Sequence, residues 1–354
     1  MTILILNHDQ FGYKAGYYHY SKHLTAMGHK VVFLCRDKGL PRMQMPEVDV
    51  YYAEARGGVK WRLEFIRKIR ELKCLYRFDV ALCPHFKGCS LIRLALGSIP
   101  TVADVRSGYV IGNKIKRKVY DALLKIEVRC FNSIMVLGDP LAKKLGLKNY
   151  GNVSLGAEAI SDANRNFNEM KLLYVGTLDN RNISKTIDGV YKFLVRNQQV
   201  TLTYDIIGFG SEEEERKVYQ TIIERGLSSQ VKFHGRVNYD NLKPYFDKAT
   251  IGVAFVPMTE YYDCQPATKI YEYALSGIYS IATNTTSNKE LINVNNGMLC
   301  DDNSDSFAEV LNKYYLCDKT AFDVGKIKET MREYEWRRVV SQQLVPILET
   351  ASKK

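Results

Sequence analysis

The sequence predicts an α/β protein built from two doubly wound parallel sheets, and three observations carry that expectation. Short apolar runs alternate with helix-period segments along the whole chain, as strand–helix–strand units do. At 354 residues with 46% hydrophobic content, there is enough apolar surface for two cores. Near the middle, Asn152-Val153-Ser154-Leu155-Gly156-Ala157-Glu158 and the polar run 161–168 interrupt the alternation as a connector would.

The first apolar run, residues 3–6, reads as a strand buried on both faces. The turn 8–16 leads into a helix over 17–27, which Gly28 ends, and residues 30–35 form the next strand. Further strands are expected at 79–83, 101–105 and 133–137. In the second half they fall at 171–175, 202–207, 230–233, 250–256 and 279–282. Ser211 with Glu214 makes a capping box, which marks a helix start after the glycine turn Gly208-Phe209-Gly210 that ends the run 202–207. A short helix should open near Pro266 or Ala267, and residues 334–348 should be helical. The expected domains are 1–155 with 335–354, and 156–334.

Composition narrows the function classes. No apolar run approaches the ~18 residues of a membrane span, and Met-Thr-Ile-Leu-Ile-Leu lacks the basic region of a signal peptide. Eight scattered cysteines without CxxC spacing suit reduced thiols, so a cytoplasmic location is expected. The net charge of +11 is uneven: residues 1–160 hold 26 Lys+Arg against 13 Asp+Glu, and the remainder 24 against 26. The excess concentrates at 60–73 and 114–120. In the first stretch Trp61, Phe65, Ile69 and Leu72 recur at helical spacing, which fits either a core stripe or an amphipathic helix on anionic lipid. No nucleic-acid motif accompanies the charge, so nucleic acid is not an expected partner.

The most informative stretch is 257–283, PMTEYYDCQPATKIYEYALSGIYSIAT. It begins at the end of a buried-strand run and passes through a polar loop into a helix whose Lys269 and Glu272 share one face. A helix start offers N–H groups and positive dipole to a phosphate, and a carboxylate grips vicinal hydroxyls. The order Glu272, Ala274, Gly277 and Ile278-Tyr279-Ser280-Ile281-Ala282-Thr283 resembles the donor-site signature of the GT4-type retaining glycosyltransferases of GT-B fold. The resemblance extends to Gly176-Thr177-Leu178 with Arg181 and Lys185, to Gly208-Phe209-Gly210, and to Val231-Lys232-Phe233-His234-Gly235-Arg236-Val237.

That resemblance implies two Rossmann-like domains facing across a cleft, with the C-terminal helix crossing back to the first. It implies a nucleotide-sugar donor, with UDP-sugar the first expectation, as co-substrate and no other cofactor. The donor would lie against Gly16, Gly176, Thr177, Gly208, Gly210, His234, Gly235, Glu260, Ala267, Thr268, Lys269 and Glu272. Arg181 and Lys185 would neutralise the departing diphosphate, with Arg106 and His85 as further catalytic candidates; His85 reads equally well as a structural residue. His234 in isolation could be a base, but beside a nucleobase it reads as structural. The family's "E-x7-E" pair is incomplete: its first Glu falls on Cys264, with Glu260 and Asp263 nearby to substitute. The expected acceptor is lipid-linked or a glycan in surface polysaccharide assembly, with the basic first domain against an anionic membrane surface. No Asp-x-Asp pair is present, and Asp301-Asp302-Asn303-Ser304-Asp305 reads as a turn, so metal-free transfer is expected. Two alternatives stand beside it: a GT-B protein that binds nucleotide without transfer, and a nucleotide-sugar epimerase or hydrolase.

Overall fold

The computed structural model describes residues 1–54, 57, 60–109 and 113–353. They form two compact units, Met1–Gly156 with Trp336–Lys354, and Ala157–Glu335. Lys354, at the end of the expected 335–354 segment, lies outside the described residues.

The first unit is a seven-stranded, all-parallel sheet. Its strands are β1 (Thr2–Asn7), β2 (Lys30–Arg36), β3 (Val48–Ala53), β4 (Val80–Pro84), β5 (Thr101–Val105), β6 (Ser133–Val136) and β7 (Tyr150–Asn152), in the order β3-β2-β1-β4-β5-β6-β7. Helices α1 (Ala15–Ala26), α2 (Lys60–Leu75), α3 (Cys89–Leu96), α4 (Lys114–Val128) and α5 (Asp139–Leu145) connect them. β1, β4 and β5 are almost wholly buried because helices cover both sheet faces. The α2 stripe Trp61, Phe65, Ile69 and Leu72 is buried, so of its two readings the core stripe is the observed one.

The second unit holds β8 (Met170–Thr177), β9 (Leu202–Phe209), β10 (Val231–Phe233), β11 (Ile251–Ala254), β12 (Tyr279–Thr283) and β13 (Gly297–Cys300), all parallel, in the order β10-β9-β8-β11-β12-β13. Its helices are α6 (Ser184–Arg196), α7 (Glu212–Glu224), α8 (Lys243–Lys248), α9 (Thr268–Leu275), α10 (Thr286–Leu291), α11 (Ser304–Leu316) and α12 (Val324–Glu329). Asn303 is the N-cap of α11, its side chain accepting from Ser306 N–H, so the acidic run 301–305 is a helix start rather than a free turn. In each sheet the strand order reverses once, between β1 and β4 and between β8 and β11. Such reversals open a crevice at the carboxyl ends of the strands, where ligands bind.

Residues 336–353 complete the first core: Val339, Val340, Leu344, Leu348 and Ala351 are fully buried in it beside β1, β2 and α1. Trp336 stacks on His19 with ring centroids 4.9 Å apart. The helix expected over 334–348 is broken. Trp336–Val339 runs into a π turn over Val340–Leu344 before the helix resumes at Val345–Ser352. Pro346 supplies the reason, since it has no N–H to donate and its ring crowds the preceding turn.

Candidate functional site

The second unit gathers its chemistry at the β8/β11 reversal. Gly176, near the end of β8, pairs in register with Gly208 near the end of β9. Any side chain at position 208 would have its Cβ 2.3 Å from the Gly176 carbonyl oxygen, so the two strand ends approach backbone to backbone. Gly176 itself has φ +154°, and a Cβ there would meet the Lys269 ammonium at 3.0 Å. Lys269 comes from the first turn of α9, which follows β11 by way of a loop.

The Lys269 ammonium lies 3.7 Å from the centre of the Tyr174 ring. Burial and the neighbouring Arg181 guanidinium push its pKa down to about 7. Burial pushes the Glu272 carboxyl up to about 7, against the opposing pull of Lys269. Both residues keep part of their surface open while their charged ends lie in low-dielectric surroundings. Arg181 stacks over Tyr262 at 4.2 Å, and its buried Nη1 has no hydrogen-bond partner. Two cations thus converge where one carboxylate stands near, an arrangement suited to an anion with more than one charge.

Beside this cluster is a cavity of about 210 Å³ lined by Val175, Gly208, Phe209, Arg236, Asn238 and Tyr239, among others. Its size suits one heterocycle rather than a whole drug-sized ligand, which takes roughly 300 Å³ or more. The Arg236 guanidinium lies 4.5 Å from the Phe209 ring centre. Gly235 fixes the loop, with φ +65° and a carbonyl that accepts the Gly208 N–H at 2.9 Å. His234 turns its Nε2 to Asp205 Oδ1 at 2.6 Å and packs edge-on against Tyr245.

The other expected donor residues divide. Lys185 donates to the Asp302 carbonyl at 2.7 Å, so the structure brings Arg181 together with Lys269 and ties Lys185 to the backbone near α11. Thr177 and Thr268 are exposed, and the Thr177 carbonyl accepts from the Tyr174 hydroxyl at 2.6 Å. The Ala267 N–H, expected to face phosphate, instead donates to Asn288 Oδ1 at 3.3 Å. Asn288 can reach it because it is buried in α10, which packs against the loop before α9. Gly210 donates to Glu215 and the Ser211 N–H to Asp179, so the return bond onto this turn comes from Glu215, not Glu214. Glu260 is exposed, whereas Asp263 is occupied with the Thr286 N–H and hydroxyl. The Cys264 thiol is buried within 3.5 Å of the Glu260 and Tyr261 carbonyls.

In the first unit the sequence candidates serve as structural ties. Arg106 donates to Asp104 at 2.9 Å, to the Val153 carbonyl at 2.7 Å and to the Tyr20 hydroxyl, clamping β5 to α1 and to the end of the first unit. Fully buried Asp104 needs this counter-charge, which accounts for where the Arg106 side chain is held. His85 is held by Glu127 at 3.1 Å, and burial pushes its pKa down. Glu127 also accepts the Gly88 N–H at 2.6 Å. Gly16 faces Trp336, whose ring a Cβ would meet at 3.6 Å. At the end of β1 the structure adds His8, whose buried Nδ1 has no hydrogen-bond partner, and Asp9, ion-paired with Lys38.

Phe209 and Arg236 lie in segments that the sequence singled out, but neither they nor Tyr239 were site candidates, because the three meet only in space.

Comparison with known proteins gives a consistent picture. Residues 169–316 match the family model described as Glycosyl transferases group 1. No curated protein matches the sequence. Sucrose-phosphate synthase from Thermosynechococcus elongatus has a similar structure (TM-score 0.76, 15% identity, 99% of this chain and 100% of that one). So do a glycosyltransferase from Rickettsia africae (0.75, 14%, 100% and 99%) and Anabaena HepE solved with UDP (0.73, 14%, 99% and 100%). At these identities the likeness is one of fold, and the fold is GT-B.

Proposed function

With residues 169–316 matching the family model described as Glycosyl transferases group 1, we propose that the chain is a retaining glycosyltransferase that moves a hexose-type sugar from a nucleotide-sugar donor. The observation that carries the reading is the convergence of Lys269 and Arg181 at the β8/β11 reversal beside a heterocycle-sized cavity. The two cations would take the donor diphosphate, Glu272 the ribose hydroxyls, and the Phe209–Arg236 wall the base. HepE, a structural neighbour, was solved with UDP, which supports UDP as the first nucleotide to test.

In this reading the bond from the anomeric carbon to the diphosphate oxygen breaks while the acceptor oxygen bonds on the same face. The acceptor proton passes to a phosphate oxygen, so no carboxylate base is needed. Charge developing on the leaving group is met by groups already in place. A lipid-linked or glycan acceptor in surface polysaccharide assembly is the proposed second substrate. With the charge neutralised by Lys269 and Arg181, transfer should proceed in EDTA; activity lost on chelation and restored by a divalent ion would assign that role to metal.

A second reading, nucleotide binding without transfer, is favoured by the buried thiol of Cys264 at the place of the first Glu in the signature that the sequence resembles. Thermal shifts with UDP-, GDP-, ADP- and TDP-sugars, followed by product analysis, decide between them. A shift with one nucleotide class and an anomer-retained product supports transfer. A shift with no turnover of any donor selects the second reading, and no shift at all removes both.

A further inference from the structure

Helix α4 carries its hydrophobic residues on the wrong side for a surface helix. Leu124 and Val128 are buried and fix the inward face. On the opposite face Ile115, Val119, Leu123 and Ile126, spaced four, four and three apart, are 76%, 53%, 42% and 60% exposed. Ala122, also exposed, fills the gap between them. At 100° per residue these five project together, away from the sheet. Lys114, Lys118 and Arg129 line one margin of the stripe and Lys116 the other, while half-buried Lys125 lies nearer the body.

The two acids of α4 are turned inward. Asp121 accepts the Tyr109 N–H at 3.0 Å, and Glu127 holds Gly88 and His85. Nothing acidic from the helix itself therefore shares the outward face. The neighbouring helix α3 packs against α4 and leaves Leu91 and Leu94 53% and 74% exposed. An apolar stripe flanked by cations fits a surface that is apolar below and anionic at its rim. A bilayer with acidic headgroups has that profile; a water-soluble protein partner or a free phosphate offers only part of it.

We infer that the outward face of α4, with Ile115, Val119, Leu123 and Ile126 as apolar anchors and Lys116 and Lys118 as headgroup contacts, docks the first unit on an anionic membrane surface. The inference deepens the lipid-linked-acceptor reading, and takes its biological purpose from it, but its geometry is that of α4 alone. Of the two basic stretches in the sequence, it selects 114–120 and sets aside 60–73, whose apolar stripe is spent in the core.

The test is flotation of the whole protein with vesicles of phosphatidylcholine alone or with one-quarter phosphatidylglycerol. Binding is expected only to the acidic vesicles. Ile126→Asp should lower the bound fraction at least tenfold, and Lys116→Glu with Lys118→Glu should remove the lipid preference. Melting temperatures of the variants, read alongside, confirm that they are folded. Wild-type protein that fails to float, or floats equally well as Ile126→Asp, overturns the inference. So does a dimer in sedimentation equilibrium that Ile126→Asp dissociates while no vesicle binds, which would give the face to a second copy. UDP-induced shifts in the same samples separate the readings: UDP binding lost with flotation intact sinks the donor site and leaves the membrane face standing.

Discussion

Lys269 and Glu272 are tuned in opposite directions to the same pKa, about 7. Lys269 titrates below its ordinary value, so its stability contribution is full above about 10.5 and is lost as pH falls through about 7. Glu272 titrates above its ordinary value, so its contribution is full below about 4.5 and is lost as pH rises through about 7. Without ligand, Lys269→Met should therefore raise the melting temperature at pH 6, and Glu272→Gln should raise it at pH 8. An anionic ligand reverses the preference of Lys269. UDP binding at pH 8 should take up a proton, read by calorimetry in two buffers of different ionisation enthalpy, and Lys269→Met should abolish the uptake. The same substitution removes a charge-assisted contact of about 1.5–3 kcal/mol and should weaken UDP roughly 10–100-fold. Arg106 behaves differently. Arg106→Met strands the buried Asp104 carboxylate and should cost about 3–5 kcal/mol in urea denaturation, with UDP binding to the second unit unchanged.

At the scale of elements, the contact between the ends of β8 and β9 is the least tolerant feature. Gly208→Ala places a methyl 2.3 Å from a carbonyl that cannot move without parting the strands, whereas Gly210→Ala meets only side-chain atoms, Asp179 Oδ1 at 3.0 Å and Leu178 Cβ at 3.1 Å. The first should destabilise by about 1–3 kcal/mol and erase the UDP shift; the second should do much less of either. The long buried strands were legible in the sequence because covered parallel strands are apolar on both faces. β3, β7 and β13 were not. β3 is an edge strand with four half-exposed positions, β7 is Tyr-Gly-Asn, and β13 is four residues between asparagines and aspartates. In the site, Lys269 and Glu272 could be found because they share one helical turn. The Arg181–Lys269 approach and the Arg236–Phe209 wall could not, since they join segments far apart in the chain. The α4 stripe has plain helical spacing, but periodicity alone does not say which way a stripe points.

For the whole molecule, the decisive feature is that the first core is closed by residues 336–353. Five fully buried apolar side chains from this segment, at about 1.5–3 kcal/mol for each large one, amount to a sizeable share of the ~5–15 kcal/mol that holds a domain folded. Deleting 336–354 should unfold the first unit while the second, whose core lies within 157–335, still shifts with UDP; limited proteolysis would show a protected fragment from the second unit alone. A ribosome therefore makes the two units in one order and finishes them in the other. Once Gly156 has been made, about 180 residues must still be added before Trp336 is reached, a delay of about 9–36 s at about 5–20 residues per second. Throughout it the first sheet waits with one flank uncovered. The second unit is complete as soon as Glu335 emerges, so in the cell it should be the nascent second half that folds first and the earlier half that needs a chaperone's shelter.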